Sequence, residues 1–213
     1  DTGKPALSGM RNSHAGTLSF EMSVGKDRLV VNCGTASSED RQWFSAMQAT
    51  AAHSTLSVNS LNSSLFDKHG IVLGPMIVEC RRSEADGAVW LDTSHDGFLN
   101  RVGVIHRRKL YLDTSGEDFR GEDVIEGSSG KDYTIRFHLH PNVQASQSRG
   151  RRNVLLKLFR GAGWEFQVSG GTICLQESVY LNGHDGPRRS NQIVVSGSLQ
   201  SDGAKIKWRF HKF

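Results

Sequence analysis

Apolar and polar residues alternate through 18–24, Gly25, Lys26 and Asp27 then turn the chain, and the apolar run Leu29, Val30 and Val31 carries it back. A period of two, a turn and a second apolar run together predict a β-hairpin. Further strand-like runs fall at 55–58, 76–81, 88–92, 102–112, 133–139, 154–159, 164–168, 172–180, 192–199 and 206–210, separated by turns rich in Gly, Ser, Asp and Asn. One segment differs. Over 40–52, Trp43, Phe44, Met47 and Ala51 recur at three- and four-residue spacing behind Ser38 or Asp40 as a cap, which predicts a short helix. His53 then opens a strand. A dozen short strands with so little helix predict an all-β fold, an antiparallel multi-stranded β-sandwich of stacked sheets, because parallel strands need crossovers of about a dozen residues or more. No repeat or long linker divides 1–213, which reads as one domain.

Composition narrows the class. With 37% hydrophobic and 23% charged residues, the chain is ordinary for a folded domain and unlike a fibrous or low-complexity one. The longest apolar stretch, 71–78, is broken by Gly74 and Pro75 and falls short of the roughly 20 residues that cross a bilayer. The first residues carry neither a basic n-region nor an apolar h-region nor an initiator Met, which predicts a piece of a longer protein. Cys33, Cys80 and Cys174 are odd in number and lack CxxC spacing, so interior thiols are expected rather than a disulfide framework or zinc ribbon. A net charge of +4 favours acidic partners. Nucleic acid is set aside for want of any recognition motif.

The candidate chemistry lies in histidines and arginines. His138 and His140 sit two apart on a strand and point the same way, suiting either a metal or polar pocket or a partly solvated face. His14 and His53, each at a strand end, fit a hydrogen-bonded core as readily as a ligand role. Arg149, Arg151 and Arg152 mark the most loop-like charged stretch. Trp43, Trp90, Trp164 and Trp208 could stack on sugar rings, with at least two expected in the core.

Several ordered stretches carry a resemblance: Asn12-Ser13-His14-Ala15-Gly16-Thr17, Arg28-Leu29-Val30-Val31-Asn32-Cys33-Gly34, Ala52-His53-Ser54-Thr55, His106-Arg107-Arg108, Phe137-His138-Leu139-His140-Pro141 and Pro187-Arg188-Arg189-Ser190. Over nearly its whole length the chain resembles the C-terminal β-domain of heparinase II/III-type polysaccharide lyases. The resemblance implies an N-terminal α/α toroid, absent from this chain, and a β-sandwich forming one wall of the substrate cleft. Such enzymes cleave uronate-containing acidic polysaccharides by β-elimination. A base takes the C5 proton, the carboxylate is neutralised, and an acid protonates the leaving oxygen. Much of this work belongs to the toroid, so the isolated domain is expected to be inactive.

By the same resemblance, the family's catalytic His falls on Asn12, and its metal ligands fall on His14, Asn32 and His53. Asn12 is neither acid nor base, although its amide suits a substrate carboxylate. Asn32 brings no negative charge, so zinc or another divalent metal is expected to bind weakly or not at all. Substrate contacts are expected from Arg107, Arg108, Arg188, Arg189, His138 and His140, since arginine forks pair with carboxylates and sulfates, or else these arginines are solvated strand-edge charges. Family members suggest a bacterial cell envelope or periplasm. The two Asn departures motivate a second reading, a non-catalytic carbohydrate-binding or adaptor sandwich.

Overall fold

A computed structural model describes residues 1–5, 13–37, 40–148, 150, 153–183 and 186–213. In chain order the strands are β1 (Met22–Val24), β2 (Asp27–Val31), β3 (Gly34–Thr35), β4 (Leu56–Val58), β5 (Leu65–Asp67) and β6 (Gly70–Leu73). Then come β7 (Val78–Ala85), β8 (Ala88–Phe98), β9 (Val104–Leu112), β10 (Asp118–Glu126), β11 (Asp132–Leu139) and β12 (Gln144–Gln147). The last are β13 (Asn153–Lys157), β14 (Gly163–Ser169), β15 (Thr172–Asn182), β16 (Arg188–Ser198) and β17 (Ala204–Lys212). A seven-stranded sheet runs β1-β2-β11-β16-β15-β3, with β4 also paired to β11, and an eight-stranded sheet runs β12-β13-β14-β17-β10-β9-β8-β7. Among the described residues β3 joins β15 in parallel and the other pairings are antiparallel. The antiparallel sandwich expected from the strand pattern is therefore present.

Alternation sets the core between the sheets. Ile135, Phe137 and Leu139 on β11, Ile193 and Val195 on β16, Trp164 and Phe166 on β14, and Ile206 and Phe210 on β17 are fully buried. Each such side chain contributes about 1.5–3 kcal/mol of burial. Phe137 lies at the centre of an aromatic cluster, 4.9 Å from Trp208 and 5.0 Å from Phe166 between ring centroids, spacings at which edge-to-face contacts add to area burial.

Several expectations need correction. The helix is shorter than 40–52: α1 covers Arg41–Gln48, Ala49 is extended, and a 3-10 turn follows at Thr50–Ala52. Asp40 is the cap, accepting from the Trp43 amide at 3.2 Å, while Ser38 lies outside the described residues. His53 closes that turn, so the strand begins at Leu56. A second helix, α2 (Leu99–Val102), was not expected. Of the cysteines only Cys33 is buried, whereas Cys80 and Cys174 are exposed.

Strand β10 was missed because two of its inward positions, between the apolar Phe119 and Ile125, are Gly121 and Asp123. Gly121 lies beneath the Trp208 indole, where a Cβ would come within 2.0 Å of the ring. Asp123, the next inward residue, is completely buried. Arg108 on β9 braces it, with Nε donating to Oδ1 at 2.7 Å and Nη2 to Oδ2 at 3.1 Å. Trp208 Nε1 adds a third donor at 2.8 Å.

A directional hydrogen-bond chain completes this buried cluster. The Gly97 amide donates to His95 Nδ1 at 3.0 Å, so neutral His95 carries its proton on Nε2 and donates it to His106 Nδ1 at 3.3 Å. His106 Nε2 then donates to Asp123 Oδ1 at 2.6 Å. Burial would raise the Asp123 pKa, but the Arg108 charge and the His106 hydrogen bond hold it well below the usual carboxylate range. Burial pushes both histidines down.

Candidate functional site

The site grows from the way α1 and the 3-10 turn cover the outer face of the seven-stranded sheet. Met47 and Ala52 pack there on Cys33 and Leu181. His53, at the end of the turn, donates from Nδ1 to the Ala49 carbonyl at 2.9 Å, which leaves Nε2 with its lone pair. Burial, with His14 beside it, lowers its pKa to about 4. The His14 ring stacks on it at 4.5 Å with the planes 18° apart. Gly16 makes the stack possible, because a Cβ there would come within 2.5 Å of the His53 ring. The Gly16 amide in turn donates to His14 Nδ1 at 3.2 Å.

Asn32 anchors the floor. Its Oδ1 accepts from the Ser54 amide at 2.9 Å, and its Nδ2 donates to Glu21 Oε1 at 3.4 Å. Around these groups lies a cleft of about 580 Å³, lined also by Glu21, Arg28 and Tyr180. Arg28 Nη1 donates to the Tyr180 hydroxyl at 2.6 Å, leaving the phenol proton to be offered elsewhere. His140 packs edge-on to Tyr180 at 5.3 Å, and burial together with the Arg188 and Arg28 charges lowers its pKa. Arg188 donates to Asn142 Oδ1 at 3.1 Å.

These residues do not fit a metal centre. Imidazole binds a metal through a lone pair in the ring plane, and two stacked, nearly parallel planes do not converge on one ion close to both rings. The Asn32 carbonyl oxygen is already committed to Ser54. Among the described residues no group of three or more His, Cys, Asp or Glu side chains suits a metal ion. The cleft offers neutral imidazoles, one guanidinium, a phenol and the Glu21 carboxylate, a set able to pair with a charged group through Arg28 and to hydrogen-bond its neighbours.

The other residues singled out in the sequence scatter. His138 shares an outward face with His140, but the 3-10 turn covers it. It donates from Nε2 to the Ala51 carbonyl at 2.9 Å, its Nδ1 lies 2.9 Å from Ser178 Oγ, and burial lowers its pKa to about 4. Arg108 is buried in the sandwich interior. Neither side chain reaches a ligand in solvent. Arg189 pairs with Glu177 at 2.7 Å away from the cleft, and Arg107 pairs with Glu126 at 2.6 Å on the other sheet. Asn12, Arg149, Arg151 and Arg152 lie outside the described residues. Trp164 and Trp208 are core residues. Arg28 and Tyr180 were not anticipated, since their contact joins positions 152 residues apart on strands β2 and β15, which β11 and β16 separate in the sheet.

Fold and cleft define a stacked-sheet β-domain with a polar cleft on one outer face. The chain belongs to the heparinase II/III-like, C-terminal family, whose profile matches residues 1–209, a family of polysaccharide lyases. It is 31% identical over 233 residues to FtsZ-localized protein C of Caulobacter vibrioides, and all of it aligns to 40% of that protein. Its fold matches a heparinase III structure with a TM-score of 0.79 at 13% identity, covering 98% of this chain and 31% of the other. The heparan sulfate lyase HepC from Pedobacter heparinus matches with a TM-score of 0.77 at 12% identity, covering 98% and 32%. The chain thus spans well under half the length of these relatives.

Proposed function

We propose that this chain is the acidic-saccharide-binding β-domain of a lyase-type protein, forming one wall of a cleft whose proton transfers are made by residues outside the chain. One observation carries the reading: Arg28 and Tyr180, hydrogen-bonded at 2.6 Å, line the same cleft as the neutral His14–His53 stack. A β-elimination needs the uronate carboxylate neutralised before the C5 proton can leave. Arg28 supplies that charge, while the phenol proton and the His53 Nε2 lone pair offer hydrogen bonds to sugar hydroxyls. A helical partner domain preceding this one fits the heparinase structures, in which the matching region is about a third of the chain.

The test uses a heparan sulfate hexasaccharide. The 213-residue chain should bind it, Arg28→Ala should weaken binding at least tenfold, and the chain alone should release no unsaturated uronate by absorbance. Product formation by the chain alone, or Arg28→Ala binding as tightly as the parent, overturns the reading. A second reading, a non-catalytic adaptor, is favoured by the relative whose name places it with FtsZ. It predicts co-sedimentation of the protein with FtsZ polymers and no saccharide binding.

A further inference from the structure

The outer face of the eight-stranded sheet, opposite the cleft just described, holds a shallow concavity of about 1010 Å³. That is at the upper end of the ~300–1,000 Å³ typical of ligand pockets. Strand register orders what faces it. One row across the sheet sets Trp90 beside Tyr111, then Arg120, then Arg209. The next row on the same face sets Arg81 beside Asp92, then Lys109, Glu122 and Lys207.

The first row is an aromatic platform. Trp90 is 38% exposed although its indole lies only 5.2 Å from the Tyr111 ring. The paired rings present a partly open aromatic surface on this face of the sheet. Arg120 lies over Tyr111 at 5.6 Å. Arg120 and Arg209 share a single carboxylate, Asp118, so this row retains a net positive charge. In the second row the Lys109–Asp92 and Lys207–Glu122 separations are 4.0 and 3.8 Å, with both lysines more than half exposed. Such pairs hold little energy and are free to exchange partners. Arg81 has no ion-pair partner among the described residues.

The ligand class follows from this pattern. A phosphate track would want unbroken cations, and here carboxylates alternate with lysines along one row. An extended peptide adding as a strand would need a free sheet edge, and the platform strands β8, β9, β10 and β17 are paired on both sides. A sugar chain fits all the parts. Its apolar ring faces lie on Trp90, its hydroxyls take Asp92, Glu122 and Gln167 as acceptors or donors, and spaced acidic groups pair with Arg81, Lys109 and Lys207. We propose that the outer face of the eight-stranded sheet is a second binding site for an acidic oligosaccharide, with Trp90 and Tyr111 as the ring platform and Arg81, Lys109 and Lys207 as the anion-pairing groups. This site goes beyond the cleft of Arg28 and Tyr180 and does not depend on it.

The experiment titrates heparan sulfate hexasaccharide into the 213-residue chain carrying Arg28→Ala, so that the first cleft is disabled. Binding should persist, with a change in tryptophan fluorescence. Adding Trp90→Ala should weaken it at least tenfold, and Arg81→Glu, an exposed change that leaves the platform intact, should weaken it several-fold. Unchanged urea midpoints will show that both variants remain folded. Affinity indifferent to Trp90→Ala and Arg81→Glu, no binding at all in the Arg28→Ala background, or equal affinity for polyglutamate or duplex DNA would each overturn the proposal. Failure of the first-cleft reading shows separately, as wild-type binding that Arg28→Ala leaves unchanged.

Discussion

Replacing Asp123 by Asn keeps its shape and removes its charge, leaving Arg108 with an uncompensated positive charge in the sandwich interior. The carboxylate accepts four hydrogen bonds, from Arg108 twice, from His106 and from Trp208. An amide must turn its NH2 towards at least one of these donors. Breaking one side of a buried pair costs about 3–5 kcal/mol. With a urea dependence of about 2 kcal/mol/M, the unfolding midpoint should fall by roughly 2 M. Arg108→Met should cost a similar amount, because Asp123 then stays buried with only neutral donors. The double variant carries no buried charge, so its loss should be smaller than the sum of the single losses by at least ~2 kcal/mol. Urea unfolding followed by tryptophan fluorescence measures all three. Asp123→Asn costing under ~1 kcal/mol, or losses that add, would refute the view that this pair is electrostatically coupled and dry.

Stability should also fall with acid. His53 and His138 are held near pKa 4, and His14, His95 and His106 are also lowered, all chiefly by burial. For His53 and His138, between about pH 6.5 and 4, the unfolded chain therefore binds protons that the folded chain refuses, and the other three act in the same direction below pH 6.5. Each such histidine removes up to ~1.4 kcal/mol of stability per pH unit as pH falls through that window. Asp123, lowered instead, keeps its contribution until pH drops through its folded value. A urea midpoint flat from pH 7 to pH 4.5 would contradict this. Metal analysis of the purified chain should find no stoichiometric zinc, and one zinc per chain that disappears in His14→Ala would contradict the reading of the histidine stack.

Period-two patterning made the sandwich legible, because β11, β13, β14 and β17 bury alternate apolar residues. It failed at β10, where Gly121 and Asp123 interrupt the inward apolar positions Phe119 and Ile125 and make sense only with Trp208 and Arg108 in place. It could not tell which of the adjacent Arg107 and Arg108 faces inward. The structure puts one in an exposed pair and the other in the core. The shared face of His138 and His140 was readable, but the 3-10 turn that hides only His138 was not. The histidines and Asn32 of the cleft came from motif resemblance. The Arg28–Tyr180 pair could not, since its two long side chains meet from strands that two others separate in the sheet.

Arg108 has one more pair of contacts: its Nη1 donates to the Leu18 carbonyl at 2.8 Å and to the Ser54 carbonyl at 3.0 Å. Leu18 belongs to the turn that follows His14, and Ser54 directly follows His53. One guanidinium therefore ties down, from inside the core, both chain segments that present the histidine stack. The cleft wall has little conformational freedom left to lose when a ligand arrives. Affinity there should be set by the groups displayed and not by the cost of ordering them. Loosening Arg108 should then reduce binding through entropy, from a position no ligand touches.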